Sequence, residues 1–422
     1  MFGPLPAGAL AWPSFFVRQV GALDNDIELI ATTSFGLEAV VSRELKALGY
    51  ENQSVADGRV TFRGGPEAIC RANLWLRSAD RVVIKMGEFE AADFGTLFDR
   101  CADLDWARWI PEDGQFPVSG KSVRSQLHSV PDCQALVKKA IVEKLKQTHR
   151  VSWFAEKGPL FAVQVSLLKD VATLTLDTTG PGLHKRGYRT LSGPAPLKET
   201  LAAALIQLSF WTAGRPLLDP FCGTGTIPIE AALWARNLAP GLARRFAADD
   251  WPALDRRLWH EAREEAKDRA DRGGSLAIVG SDIDDTSLGM ARKHARQAGV
   301  EADIRFERRD FVDVVPQGDF GCLIGNPPYG ERSGDLAAAE ELARATNTVA
   351  GRFDTWSFYL LSALANYEQL CGRHADRRRK LYNGRIACTY YQFHGPRPPR
   401  PATVSEAQTT QPVPAPEAEQ TN

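Results

Sequence analysis

Closely spaced cysteines, a large net charge and long apolar runs are all missing from this 422-residue chain. Its seven cysteines (Cys70, Cys101, Cys133, Cys222, Cys322, Cys371 and Cys388) are scattered, and no two stand in a Cys-x-x-Cys spacing. That argues against a disulfide framework and a zinc site, and it fits a reducing cytoplasm. No metal is expected. Lysine and arginine total 51 against 52 acidic residues, a net charge of −1. A nucleic-acid partner would therefore have to be met by local patches, since the chain has no global positive field. No apolar run approaches the roughly 20 residues of a membrane helix, so no membrane partner is expected. Residues 1–26 carry prolines and no basic leader region, and they read as an extension and not a signal peptide.

What is present is an ordinary globular composition, 44% hydrophobic and 24% charged, on a chain long enough for two or three domains. IELIATT, GRVTFRG and the end of PEAICRANLWLRSADRVVIKMGEF read as strands with helices between them, a ferredoxin-like unit over 27–90. A second α+β unit follows, with FPVSGKSV as a strand, PDCQALVKKAIVEKLKQTH as a helix and FAVQVSLLKDVATLTLDTTG as a hairpin. HKRGYR and SGPAP read as a linker. Strands and helices then alternate, the signature of a parallel α/β sheet. In that part WSFYLLSALANYEQLCG reads as a helix, and KLYNGRIACTYYQF as two strands around an Asn-Gly turn. The charged stretch at 250–272 reads as a helical insert. From Gly395 the chain is rich in Pro, Gln, Thr and Glu, and disorder is expected there.

Two stretches carry chemistry. DPFCGTGT, Asp219 to Thr226, joins a strand to a helix, and Gly223 and Gly225 would let backbone approach a ligand. Pro228 stands where a dinucleotide fingerprint needs its third glycine, which disfavours a nicotinamide oxidoreductase. Asp282, in GSDID, suits a pair of ribose hydroxyls, and Asp310, in ERRD, suits an adenine amine; either acid could instead cap a helix.

The second stretch is NPPY, Asn326 to Tyr329, directly after the apolar FGCLIG. An exocyclic amine attacking a methyl sulfonium gains positive charge on its N–H groups. Two acceptors, the Asn326 side-chain oxygen and the Pro327 carbonyl, would stabilise that charge. Pro327 and Pro328 stiffen the loop, and Tyr329 offers a face on which a base can stack. Asn326 would border both the cofactor and the target base.

In order, GLHKRGYR, APLKETLAAALI, DPFCGTGTIPIEAA, GSDID, NPPYGER and KLYNGRI make the chain resemble class I S-adenosylmethionine-dependent RNA methyltransferases with a THUMP domain. Within that family it is most similar to the bacterial 23S rRNA guanine-N2 methyltransferases. The resemblance implies a Rossmann-like methyltransferase sheet over 183–394 and a THUMP RNA-binding domain over 91–182. It implies S-adenosyl-L-methionine as cofactor, with Asp219, Gly223 and Gly225 at the methionine part, Asp282 at ribose and Asp310 at adenine. Asn326 to Tyr329 would hold a guanine of rRNA. The same reaction on tRNA, and a non-catalytic RNA-binding or assembly role, are the alternatives.

For RNA contact the sequence offers eight Lys/Arg against three acids over 121–157, including Lys121, Arg124, Lys138 and Lys139. HKRGYR adds Lys185, Arg186 and Arg189, and RRRK at 377–380 forms a further cluster.

Overall fold

The computed structural model describes residues 26–191, 197–329 and 335–399. The extension at 1–25, the SGPAP segment at 192–196, the Gly330–Arg332 end of NPPYGER and the tail from 400 lie outside the described residues.

The first half runs β1 (Ile27–Thr32), α1 (Glu38–Ala47), β2 (Gln53–Ala56), β3 (Arg59–Gly64), α2 (Pro66–Trp75), β4 (Arg81–Glu90), α3 (Phe94–Ala102), β5 (Val118–Val123), α4 (Val130–His149), β6 (Val163–Leu168) and β7 (Val171–Asp177). Strand order is β2-β3-β1-β4-β7-β6-β5, so the two units of the sequence reading share one sheet, joined where β4 pairs antiparallel with β7. The long helix α4 buries Cys133, Val137, Ala140, Ile141 and Leu145, one stripe at three- and four-residue spacing. Asp132 in its first turn, with Lys146 and His149 in its last, complements the helix dipole.

The second half runs α5 (Glu199–Leu208), β8 (Leu217–Asp219), α6 (Thr226–Ala235), α7 (Arg256–Asp268), β9 (Ile278–Asp282), α8 (Asp285–Gln297), β10 (Ile304–Arg308), β11 (Cys322–Gly325), α9 (Asp335–Ala350), β12 (Ser357–Ser362), α10 (Tyr367–Cys371), β13 (Arg377–Asn383) and β14 (Ile386–Phe393). Its sheet has the order β10-β9-β8-β11-β12-β14-β13. Strands β8 to β12 are parallel and β14 is antiparallel to both neighbours. The order reverses between β8 and β11, where α/β sheets open a ligand crevice at the carboxyl ends of their strands.

One element differs from the sequence reading. WSFYLLSALANYEQLCG is not one helix but strand β12 followed by the short α10. All six β12 residues are buried between β11 and β14. A strand covered on both faces is continuously apolar, and such a run carries no period that separates it from a buried helix.

The insert binds the two halves together. Trp251 stacks on Phe161 at 4.7 Å between ring centres, lies 6.0 Å from Trp109, and donates to the Leu160 carbonyl at 2.9 Å. Trp259 stacks on Phe246 at 5.3 Å, and Ala262 and Ala266 join the first half's core, with α7 packed on α2. HKRGYR also belongs to this joint and is no loose linker. Arg186 pairs with Glu230 of α6 at 3.4 Å, both side chains almost wholly buried. It also donates to the carbonyls of Leu183 and Arg77, while the Tyr188 hydroxyl donates to Glu230 at 3.0 Å.

Removing one member of a buried pair strands the other. Glu230→Gln should lower the unfolding free energy by about 3–5 kcal/mol. Adding Arg186→Met should recover part of that loss, as read from urea midpoints of the single and double variants. A second expectation concerns His184, whose pKa is lowered to about 4 by burial and by Lys198, Lys185, Arg186 and Arg244 around it. Between about 4 and the ordinary 6.5, the unfolded chain takes up a proton that the folded chain refuses. The His184 contribution to stability is therefore lost as pH falls through that window. His184→Gln should flatten the fall of melting temperature between neutral and acidic pH.

Candidate functional site

Asp219 closes β8 with 1% of its surface exposed, and its Oδ1 accepts the Phe221 N–H at 3.1 Å. Burial pushes its carboxyl well above the usual range, the Phe221 N–H opposes that rise, and the charge of Asp282 adds to it. Its bond thus shapes the loop that follows. Gly223 and Gly225 both have positive φ, +49° and +85°. A Cβ on Gly223 would meet no other residue within 4 Å, whereas one on Gly225 would meet Ala291 at 3.0 Å and the Phe306 ring at 3.1 Å. Gly223 therefore faces open space, and Gly225 is required by helix–strand packing.

Asp282 ties the next strand end to this loop. Its Oδ2 accepts the Gly223 N–H at 2.8 Å and its Oδ1 the Asp284 N–H at 3.0 Å. Cys222 N–H donates to the Ser281 carbonyl at 3.0 Å, a second tie between the same segments. Arg308 of β10 lies opposite Asp282, which brings Asp310 to the same edge. Asp310 is exposed, and its Oδ1 accepts the Val312 N–H at 3.1 Å, so one oxygen caps the turn at 311–313. Near the two acids, Ile283 is 63% and Val312 44% exposed, apolar surface at the crevice.

NPPY leaves β11 beside the glycine loop, because β11 pairs with β8. A methyl group at Gly325 would meet the Phe221 ring at 3.0 Å, so the two loops touch. The Tyr329 hydroxyl donates to Asn326 Oδ1, and Asn383 Nδ2, at the β13–β14 turn, lies 3.4 Å from that hydroxyl. Asn383 was visible in the sequence only as half of an Asn-Gly turn, with nothing to mark it as a neighbour of Tyr329. His294 was missed as well. It is buried beneath the loop, with Nδ1 3.2 Å from the Thr224 carbonyl and Nε2 accepting the Leu191 N–H at 3.4 Å. Burial lowers its pKa, and the Thr224 carbonyl opposes that fall.

The cationic candidates divide. Lys121, Arg124, Lys139 and Lys185 are exposed. Lys138 is engaged internally, 2.7 Å from Glu156, donating to the Phe116 carbonyl at 3.0 Å and seated 3.4 Å over the Phe116 ring. Arg186 is the buried partner of Glu230, and Arg189 pairs with Glu199 at 3.4 Å while donating to Leu197 and Thr226. Arg186, buried with its acid, is corrected from an RNA contact to a structural ion pair, while Arg189 is mostly covered and Lys138 keeps 30% of its side chain exposed beside Glu156. A charge run in sequence does not reveal which members meet a buried acid.

The donor set fits an adenosyl-methionine. Open space at Gly223 adjoins the start of α6, Asp282 can serve ribose hydroxyls, and Ile283, Val312 and Asp310 can flank an adenine. Among the described residues no cluster of His, Cys, Asp or Glu could hold a metal ion, and no helix is long and apolar enough to cross a membrane.

A seven-stranded sheet with a reversed β14, a glycine loop after β8 and NPPY after β11 define an S-adenosylmethionine-dependent methyltransferase, and S-adenosylmethionine is its cofactor. The chain belongs to the RlmL-like family of THUMP-containing RNA methyltransferases. Residues 28–83 match the "RlmL ferredoxin-like domain", 91–177 the "THUMP domain" and 186–392 the "RMKL-like, methyltransferase domain". A Bacillus subtilis (strain 168) protein named "Putative RNA methyltransferase YpsC" is 49% identical over 367 residues, 86% of this chain and 95% of that protein. A crystal structure of "SMU.472, a putative methyltransferase complexed with SAH" superposes with a TM-score of 0.85 at 44% identity, covering 89% of this chain and 100% of that one. A Listeria monocytogenes structure, described as a predicted N6-adenine-specific DNA methylase, gives 0.84 at 46% identity, over 88% of this chain and 97% of that one.

Replacing Asp282 by Asn keeps an acceptor for the Gly223 N–H but removes the charge offered to hydroxyl donors. Cofactor affinity, measured by titration calorimetry, should fall by about tenfold to a hundredfold. An unchanged affinity would remove Asp282 from the binding set.

Proposed function

We propose that this chain transfers a methyl group from S-adenosylmethionine to the exocyclic N2 amine of a guanosine in RNA, with 23S rRNA as the substrate. The observation that carries this reading is the position of Asn326, at the end of buried β11 and beside the Phe221 loop. When bound, the cofactor supplies an electrophilic methyl group on a sulfonium. The protein's part is to place a poor nucleophile and stabilise the charge it develops.

Asn326 Oδ1 is the first acceptor. In the free enzyme it holds the Tyr329 hydroxyl, so the substrate amine replaces a neutral donor with one whose N–H groups become more positive during attack. The Pro327 carbonyl is the second acceptor, and neither Pro327 nor Pro328 carries an N–H to oppose the amine. Displaced from Asn326, the Tyr329 ring is available to stack on the base, which must be unpaired or flipped to reach it. The methylated nitrogen is strongly acidic and loses its proton to solvent without a dedicated base. An acceptor pair of this kind suits any exocyclic amine, and guanine in rRNA follows from the family resemblance. Lys121, Arg124, Lys139 and Lys185 are the phosphate contacts of this reading.

Asn326→Ala should retain cofactor binding and lose methyl transfer by about a hundredfold or more, the scale of removing one transition-state hydrogen-bonding group. The assay offers unmodified 23S rRNA, 16S rRNA and tRNA separately with labelled S-adenosylmethionine and identifies the labelled nucleoside. N2-methylguanosine from 23S rRNA is the expected product. The same nucleoside from tRNA would change the substrate and keep the mechanism, and near-normal turnover by the variant would overturn it.

A further inference from the structure

At the outer edge of the second sheet, β13 carries Arg377, Arg378, Arg379 and Lys380 in succession. Its last residue is Asn383, the neighbour of Tyr329. From Asn383 back to Arg377 the strand extends about 20 Å. The cationic run therefore starts far from the NPPY loop and leads toward it.

The first half of the molecule meets β13 along this line. A Cβ on Gly36, which has φ +91°, would stand 2.7 Å from the Lys380 carbonyl, and Arg379 donates to the Gly36 carbonyl at 3.0 Å. Phe35, half exposed, packs edge-on against Tyr382 with ring centres 6.2 Å apart, and the Lys380 ammonium lies 5.6 Å from the Tyr382 ring. Arg43 of α1 stands close enough to feel Arg377 and Arg379. Burial lowers the pKa of Arg43 and Arg379, and the charge of Arg377 depresses both further. Three acids border this group: Glu38 accepts the N–H groups of Gly36 and Gly58 at 2.9 Å each, Glu44 opposes the lowering at Arg43, and Glu368 pairs with Arg378 at 3.2 Å. Mutually repelling guanidiniums beside the half-exposed Phe35 and the partly buried Tyr382 form a surface suited to a polyanion with flat rings.

We propose that the β13 edge, with Phe35 and Arg43 of the ferredoxin-like domain, is a track for single-stranded RNA flanking the target nucleotide. Bases stack on Phe35 and Tyr382 while phosphates meet Lys380, Arg377 and Arg43. The inference rests on the RNA-methylating reading and adds to it a second contact surface, separate from the exposed cations of β5 and α4. It gives the ferredoxin-like domain a direct part in holding substrate. It also places the bound strand beside the hairpin that carries Asn383.

The test measures binding of a short mixed-sequence single-stranded RNA to the full chain by fluorescence anisotropy over a range of salt, with thermal melting to confirm folding. Arg377→Gln combined with Lys380→Gln should reduce the slope of log affinity against log salt by about 1.4, two phosphates at about 0.7 each. Phe35→Ala should weaken binding about fivefold to a hundredfold with little change in that slope. Lys121→Gln combined with Arg124→Gln serves as the reference for the other surface. If that pair lowers the slope while the folded β13 and Phe35 variants bind like the parent, the track is overturned and the RNA reading stands. The β13 cations would then serve only to keep the sheet edge from pairing with other strands. If the parent protein binds no RNA and methylates none, the underlying reading itself fails.

Discussion

Arg186 and Glu230 lie with almost no solvent access at the joint between the two halves of this protein. Burying both charges costs several kcal/mol per ion, and the cost is offset only when every hydrogen-bonding position nearby is filled. Here Glu230 takes the Arg186 guanidinium and the Tyr188 hydroxyl, while Arg186 also reaches the carbonyls of Leu183 and Arg77. Glu230 sits on α6, the helix that follows the glycine loop, and Arg77 follows α2 in the first sheet. One buried pair thus fixes α6, the helix after the glycine loop, relative to the ferredoxin-like and THUMP domains. The tryptophans of the insert fasten the same joint by apolar packing, with Trp251 entering the core of the first half.

Held that way, the catalytic edge needs few moving parts. The glycine loop is tied to β9 by Asp282 and by the Cys222–Ser281 backbone bond. Phe221 bridges from this loop to the strand that presents NPPY. In the free protein the Tyr329 hydroxyl donates to Asn326 Oδ1, and in the proposed mechanism that contact is exchanged for the substrate amine. Such an exchange keeps the acceptor hydrogen-bonded before and after substrate arrives, so no desolvated oxygen is left unpaired.

Short motifs were legible because their demands are local. Two prolines after an asparagine, a glycine with positive φ, and an acid at a strand end each restrict the backbone within a few residues. Asp219, Gly223, Asp282, Asp310 and Asn326 accordingly gather along one sheet edge. The finer roles were not legible. Gly225 packs against Ala291 and Phe306, and one oxygen of Asp310 caps a turn while the exposed side chain keeps its other oxygen for a ligand.

By itself the sequence determined the order of strands and helices in outline and the family, since each is encoded in contiguous residues. Tertiary structure alone decided that WSFYLL is a central strand, because its identity depends on β11 and β14 lying to either side. It alone decided that Lys138, Arg186 and Arg189 are internal partners while Lys121 and Arg124 face solvent. Arg186 and the Arg77 carbonyl that it meets are 109 residues apart in the chain. Whether a charge is paired or exposed depends on such distant partners, and no local pattern encodes them.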